Sequence, residues 1–443
     1  MLATSYMRRV LKGLAVLAAG VFTAHAAAQD LVIITPHNEH IQQEFGRGFQ
    51  EYVGKPVEIR WIKQGTSELI QLLRAKDRAT PKGSFDIDLF FGGGVPDHQF
   101  AGQLGFLQQA KISEEVISGI PAKIAGIPNY DRAMGWYSAA VSSFGILVND
   151  QARKTHGLPG VAEWKDIADP EYFGWVVLAD PRKSASNQVC YEAILQQYGW
   201  EKGWSILMRI AANARHITSS SSAVPNEIAS GNVVAGPAVD FYAFARIART
   251  GNDVLSYVQP KGGTAITPDP ISMLRRPPNE EYARKFMEFT LGPAGQKLWL
   301  LPPGAKGGPE NHALYRLAVR PDVYAMCADD SSAENPYDMA NQDKFRILDD
   351  KLQERRLQLL AESMGAAMVD LHTDLHGAWE AVIDGGMNPE ALDKLLAVPF
   401  SESDFDRLTA ELSEGGRPAR KLVRSWVREF KQRYAEVRRL AGS

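Results

Sequence analysis

The run Leu31-Val32-Ile33-Ile34, breaking abruptly into Thr35-Pro36-His37-Asn38-Glu39-His40, constrains this chain more than any other stretch. Four consecutive apolar residues read as a strand buried on both faces. Helical spacing takes over at once, with Ile41, Phe45, Phe49 and Val53 on one face. A core strand that passes through a polar turn into a helix is the opening of a ligand-binding α/β lobe.

The residues ahead of that strand read as an export signal. Arg8, Arg9 and Lys12 form a basic start and Gly13 to Phe22 an apolar centre. Ala26 and Ala28 then sit at −3 and −1 of a cut before Gln29, with Ala24/Ala26 as a second site. The apolar centre is short of the roughly 20 residues that a membrane span needs. The mature protein is therefore expected in the periplasm, meeting its ligand outside the cytoplasm. A net charge of −3 argues against nucleic acid as a partner. Cys190 and Cys327 are too few for a four-cysteine zinc site. An oxidising compartment permits a bridge between them, although two thiols so far apart also read as separate core residues.

Strand and helix keep alternating. Val57–Ile62 and Ile87–Phe91 read as strands, the second ending in Gly92-Gly93-Gly94, and Ser67–Lys76 as a helix. Trp136 to Asn149 is long enough to leave one lobe and enter another. A second unit follows: strand Val176–Asp180, helices Asn187–Tyr198 and Glu201–Ala214, and strand Val233–Val239. Ser256–Pro260 and Pro270–Leu274 flank a Gly/Pro/Thr-rich loop, and Tyr282–Leu291 and Pro293–Leu301 read as helices. Ligands in such sheets gather outside the carboxyl ends of the strands.

The candidate binding residues lie at those ends. Thr35, His37, Asn38 and Glu39 could hold a ligand against free helix N–H groups, or simply cap the helix. Gly93 and Gly94 would let a ligand approach the backbone. Ser184, Ser186 and Asn187, with Ser219 and Ser220, offer hydroxyls and helix-end N–H groups suited to anionic oxygens, or plain caps. Asp240 and Tyr242 follow another strand end and could hydrogen-bond a polyhydroxylated ligand. His372 and His376 stand four apart but read as a solvated helix face. GxxxxGK[ST], GxSxG and HExxH do not occur, so neither ATP hydrolysis nor an enzyme is expected.

Five segments, in this order, carry a family resemblance. They are Val32–Glu39, Asp88-Leu89-Phe90-Phe91-Gly92-Gly93-Gly94, Ser143-Phe144-Gly145-Ile146-Leu147-Val148-Asn149, Asp240-Phe241-Tyr242, and Phe286-Met287-Glu288-Phe289 followed by Gly292-Pro293-Ala294-Gly295-Gln296. Over about Leu31 to Tyr324 the chain resembles type 2 periplasmic solute-binding proteins of ABC importers, in the branch of ferric-ion and hexose-phosphate binders. The resemblance implies an α/β fold of two lobes joined by crossover strands that close on a ligand. Residues 29–148 and 262–343 would form lobe one and 149–261 lobe two. It adds Ser143 to the candidate contacts. It also implies a monomer without cofactor that hands a small phosphorylated or carboxylated solute to the transmembrane subunits of a permease. Ferric binders of this family use two adjacent tyrosines; here the positions are Phe241 and Tyr242, so Tyr242 alone would ligate iron. A ligand-sensing module for a signalling partner is a further alternative.

Residues 344–443 depart from the family pattern and read as a helical extension. Phe345–Met364 and Ser401–Leu412 read as helices, with Asp404 in a capping role. From Arg417 to Leu440 an apolar stripe of Leu422, Val423, Trp426, Val427, Phe430, Val437 and Leu440 accompanies nine Lys/Arg and two Glu. This stripe could dock on the lobes, on a partner protein or on an anionic membrane.

Overall fold

A computed structural model describes residues 30–331, 333–340 and 345–442. The export segment and its cut before Gln29 lie outside the described residues. In chain order the principal strands are β1 (Leu31–Thr35), β2 (Ile59–Lys63), β3 (Leu89–Phe91), β4 (Trp136–Asn149), β5 (Val176–Ala179), β6 (Ala214–Thr218), β7 (Ala235–Val239), β8 (Leu255–Val258) and β9 (Ile266–Leu274).

Lobe one is built on β1, which pairs in parallel with β2 on one side and β3 on the other. All five β1 residues are buried, as a parallel strand covered by helices on both faces requires. Helix Glu39–Val53 covers one face. Asn38 caps it by accepting from the Ile41 N–H at 3.1 Å, and Gly54 ends it at φ +71°. Phe45 and Phe49 are fully buried, with Phe45 packed 4.4 Å from Trp299, ring centre to ring centre. β3 starts two residues later than the apolar run suggests. Asp88 is turned instead to accept the Val32 and Asn279 N–H groups, each at 2.7 Å.

β4 joins the lobes. Its 14 residues are all buried. Trp136 to Ser143 pair with β9 in the lobe-one sheet, and Phe144 to Val148 pair with β7 in the lobe-two sheet. The passage between sheets falls at Ser143–Phe144. β9 is longer than expected: the residues Ile266–Asp269, read as loop from their prolines, belong to the strand. Pro268 and Pro270 are accommodated because the register shifts between Asp269 and Pro270, which relieves the ladder of missing N–H donors. In lobe two, β5 lies between the parallel strands β6 and β7.

The C-terminal extension is part of lobe two. Helices Asp350–Met364, His372–Asp384, Phe405–Ser413 and Gly416–Ala441 share one core with helix Trp200–Asn213. Trp204 stacks on Phe430, Trp379 Nε1–H donates to Asn213 Oδ1 at 2.7 Å, and Tyr434 donates to the Ala367 carbonyl at 2.8 Å. Trp426, Phe430 and Val437 of the terminal stripe are buried, and Leu422, Val423, Val427 and Leu440 pack half-buried beside them. Docking on the chain's own lobe is thus where that stripe goes.

Two expectations are corrected here, and of the two cysteine readings the separate core residues are the one found. The helix expected from Phe345 begins at Asp350, because Phe345 bridges back to Thr264 and Asp349 caps the helix through the Leu352 N–H. His372 and His376 do not form a solvated face: His376 stacks on Phe173 at 4.2 Å and pairs with the Ala212 carbonyl at 3.0 Å. Cys190 and Cys327 are free, buried thiols in separate apolar clusters. The capping role read for Asp404 holds, since its carboxylate accepts from the Ser401 backbone and hydroxyl.

Candidate functional site

Each parallel strand of both lobes delivers a polar loop from its carboxyl end. After β1, Thr35 is buried and its hydroxyl oxygen accepts the His37 N–H at 3.0 Å. This bond turns the His37 ring inward against Phe91 and Trp299. The ring lies on the backbone of Gly92, where a Cβ would sit 2.4 Å from Nε2, and Gly92 itself stands at φ +89°. Only glycine satisfies both demands. Glu39 is exposed in the first helical turn, favouring the helix dipole.

After β3, Gly93 donates its N–H to Asp269 on β9, and Gly94 starts helix Val95–Gln103. That helix brings in His98, which sequence reasoning missed. Its Nε2 faces the Gly92 carbonyl at 3.0 Å and its Nδ1 the Ser272 hydroxyl at 2.9 Å. A carbonyl only accepts, so the neutral ring carries its proton on Nε2. Burial pushes the His98 pKa down to about 4. His37 is held well below its ordinary value by burial first, then by Arg316 and His98.

A depressed histidine pKa contributes stability that is present above its ordinary value of 6.5 and lost as pH falls toward the folded value. For His98 that is about 3 kcal/mol across the window. Urea unfolding of the protein and of His98→Gln checks it. The stability gap between the two is expected to be wide at pH 7 and to narrow by most of that amount near pH 4. An equal gap at both pH values would refute the assignment.

At the passage between lobes, Asp240 follows β7 directly and accepts from Ser143 twice: from its N–H at 2.7 Å and its hydroxyl at 2.9 Å. Burial raises the Asp240 carboxyl to about 7 against the pull of those bonds. Arg316, also missed, completes the group. It pairs with Asp269, donates to the Ser142 hydroxyl, and lies 3.9 Å over the Phe241 ring. His37, Gly93, Ser143, Asp240 and Tyr242 are therefore linked through the Arg316–Asp269 pair or its immediate electrostatic reach.

Just outside this buried group a cavity of about 190 Å³ opens between the lobes. Asn38 and His40 line it from lobe one, Tyr242, Arg246 and Arg249 from lobe two, and Tyr315 from the returning chain. Two arginines and one histidine line it, with no carboxylate among the lining residues. His40 is stacked on His312, ring centres 3.8 Å apart. Tyr242, Arg246 and Arg249 share one face of the helix that Asp240 begins, a signal the sequence did contain.

The remaining candidates lie apart from this cavity. Ser184 caps helix Ala185–Tyr198 by accepting from the Asn187 N–H at 3.3 Å, and Asn187 is buried with its side-chain N–H₂ unpartnered. The Ser186 side chain lies outside the described residues. Ser219 is exposed, and the Ser220 hydroxyl pairs with that of Ser222, which does line the cavity. Among the described residues no cluster of three or more His, Cys, Asp or Glu is placed to hold a metal.

Residues 88–301 match the family of bacterial extracellular solute-binding proteins. The phosphoglycerate transport regulatory protein PgtC of Salmonella typhimurium is 35% identical over 161 residues, covering 36% of this chain and 40% of that protein's length. The periplasmic binding protein AfuA of Actinobacillus pleuropneumoniae, solved with fructose-6-phosphate bound, superposes with a TM-score of 0.59 at 19% identity. That match covers 75% of this chain and 97% of AfuA. Apo ferric ion-binding protein A of Pasteurella haemolytica gives 0.56 at 16% identity, over 76% and 98%. At these identities the two structures establish a shared fold, and the family and both structures are of binding proteins. With the family matched over residues 88–301 and these superpositions, the chain has the two-lobed fold of the type 2 periplasmic binding proteins.

Proposed function

We propose that this chain is the periplasmic solute-binding component of an ABC importer, taking a small anionic, phosphorylated or carboxylated solute between its lobes and presenting it to the permease. The observation that carries this is the interlobe cavity, which gathers Arg246, Arg249 and His40 without an opposing carboxylate in its lining. Arginine forks match the planar oxygen pairs of carboxylate and phosphate. Asn38 and Tyr242 would add hydrogen bonds from opposite lobes, so that a ligand bridging them favours the closed state. His37, Ser143 and Asp240 would act from behind, fixing the walls. Thr35, Glu39, Gly93, Gly94, Ser184, Ser186, Asn187, Ser219 and Ser220 remain outer candidates that closure would bring to bear. The fructose-6-phosphate bound to AfuA and the phosphoglycerate for which PgtC is named are both small phosphorylated solutes, which supports the same class.

The ferric alternative is weaker. Phe241 stands where a second tyrosine would be needed, and burial raises the Tyr242 phenol, disfavouring the phenolate that iron requires. The word "regulatory" in the name of PgtC favours a second reading, a ligand sensor for a signalling partner; it shares the same cleft.

A thermal-shift panel of ligand-stripped protein tests the proposal, using phosphoglycerate, sugar phosphates, inorganic phosphate, dicarboxylates and ferric citrate. A true ligand at a hundredfold excess over Kd adds roughly 2.7 kcal/mol. Arg249→Ala is expected to weaken it by about tenfold or more, the equivalent of 1.4 kcal/mol. A response to iron alone would overturn the anion reading.

A further inference from the structure

We infer that the exposed face of helix Gly416–Ala441 is a docking surface for an anionic lipid bilayer. Arg417, Arg420, Lys421, Arg424, Arg428 and Lys431 are all exposed. At 100° per residue they fall on one side of the helix, along about 21 Å of its length. The buried residues Trp426, Phe430, Tyr434 and Val437 occupy the opposite side. The ion pairs of this helix join Arg433 to Glu429, Arg438 to Asp374, and Arg439 and Lys394 to Glu436. Among the described residues none of the six cations takes a carboxylate partner. The helix carries nine Lys/Arg and two Glu in a chain whose net charge is −3, so the positive charge is concentrated rather than general.

The form of this face decides its partner. Protein interfaces draw their energy from desolvated aromatic and aliphatic anchors seated in pockets. This face has none, because its aromatic residues are spent inside lobe two. A plane of lipid phosphates needs charge alone, with each basic residue near the surface contributing about 1 kcal/mol. For the same reason the helix cannot insert an apolar side as free amphipathic helices do. No helix among the described residues is long and apolar enough to cross a membrane. Contact is therefore peripheral, reversible and strongly dependent on salt. The inference does not rest on the solute reading, since stripe and cleft lie on different elements.

Co-sedimentation of the mature chain with vesicles tests it. Vesicles of phosphatidylcholine with about a third phosphatidylglycerol are compared with phosphatidylcholine alone, at low salt and at about 0.3 M, where the screening length has fallen well below 10 Å. Binding is expected only to the anionic vesicles at low salt. The variant Arg420→Glu/Arg424→Glu/Arg428→Glu is expected to lose it by about tenfold or more, while keeping the melting temperature and any ligand-induced shift. Equal binding to neutral vesicles, or undiminished binding by a folded triple variant, would overturn the inference. So would absence of binding at low salt, which would leave an acidic protein face as the occupant. Loss of the ligand shift with vesicle binding intact would instead count against the solute reading alone.

Discussion

Arg316→Met is expected to destabilise the protein by about 3 kcal/mol or more, because it strands the Asp269 carboxylate in a buried site. Arg316 pairs with Asp269 and covers the Phe241 ring, tying the returning chain to β9 and to the first turn of helix Asp240–Thr250. Burial already raises the Asp269 carboxyl, and Arg316 is the main influence opposing that rise. Without the guanidinium the folded form would hold its proton to higher pH. A raised carboxyl pKa gives stability that is lost as pH climbs through the folded value. The variant's deficit should therefore be larger at pH 8 than at pH 5. The double variant Arg316→Met/Asp269→Leu should recover most of the loss at both. Chemical unfolding at the two pH values checks this, and a deficit that shrinks toward pH 8 would contradict the charge argument.

The second large effect is at the seam between lobe two and the extension. Arg356 and Glu192 are each about 2% exposed, with the guanidinium nitrogen 2.7 Å from the carboxylate oxygen and a second bond at 3.0 Å. Removing one partner leaves a bare buried charge and typically costs roughly 3–5 kcal/mol, whereas replacing both by apolar residues of similar volume is often neutral. Arg356→Met alone should thus melt far below the wild type and become protease-sensitive between residues 345 and 416. Arg356→Met with Glu192→Leu should return close to normal. A single variant as stable as the wild type would mean that apolar contact alone fastens the extension.

Much of this architecture was legible beforehand, and the residues show why. The strand Trp136–Asn149 was read with both of its ends correct, since 14 residues without an internal break and with Asn149 capping the next helix leave little choice. Helices with strong apolar phase, such as Glu39–Val53, were equally clear. The site was less so. Arg316 and Asp269 lie in segments without periodicity, and only the folded chain brings them together across 47 positions. Asn38 and Ser184 could be recognised as polar strand-end residues, but each is at least partly occupied with capping. The docking of the extension had one overlooked signal. Helix Trp200–Asn213 buries Trp200, Trp204, Ile206, Leu207, Met208 and Ile210, a distribution too broad for a helix with water on one side.

The seam also sets an order of events during folding. Its hydrogen bonds join residues 164 and 166 positions apart, Glu192 to Arg356 and Asn213 to Trp379. Distant pairings form late and slowly, because a long stretch of chain must be restrained before any contact is made. Lobe one has most of its sheet complete once residue 274 is available, but lobe two lacks a wall until Phe430 and Val437 have been synthesised. In a nascent chain of this design lobe two therefore stays open until its last helix emerges, long after most of the lobe-one sheet can form.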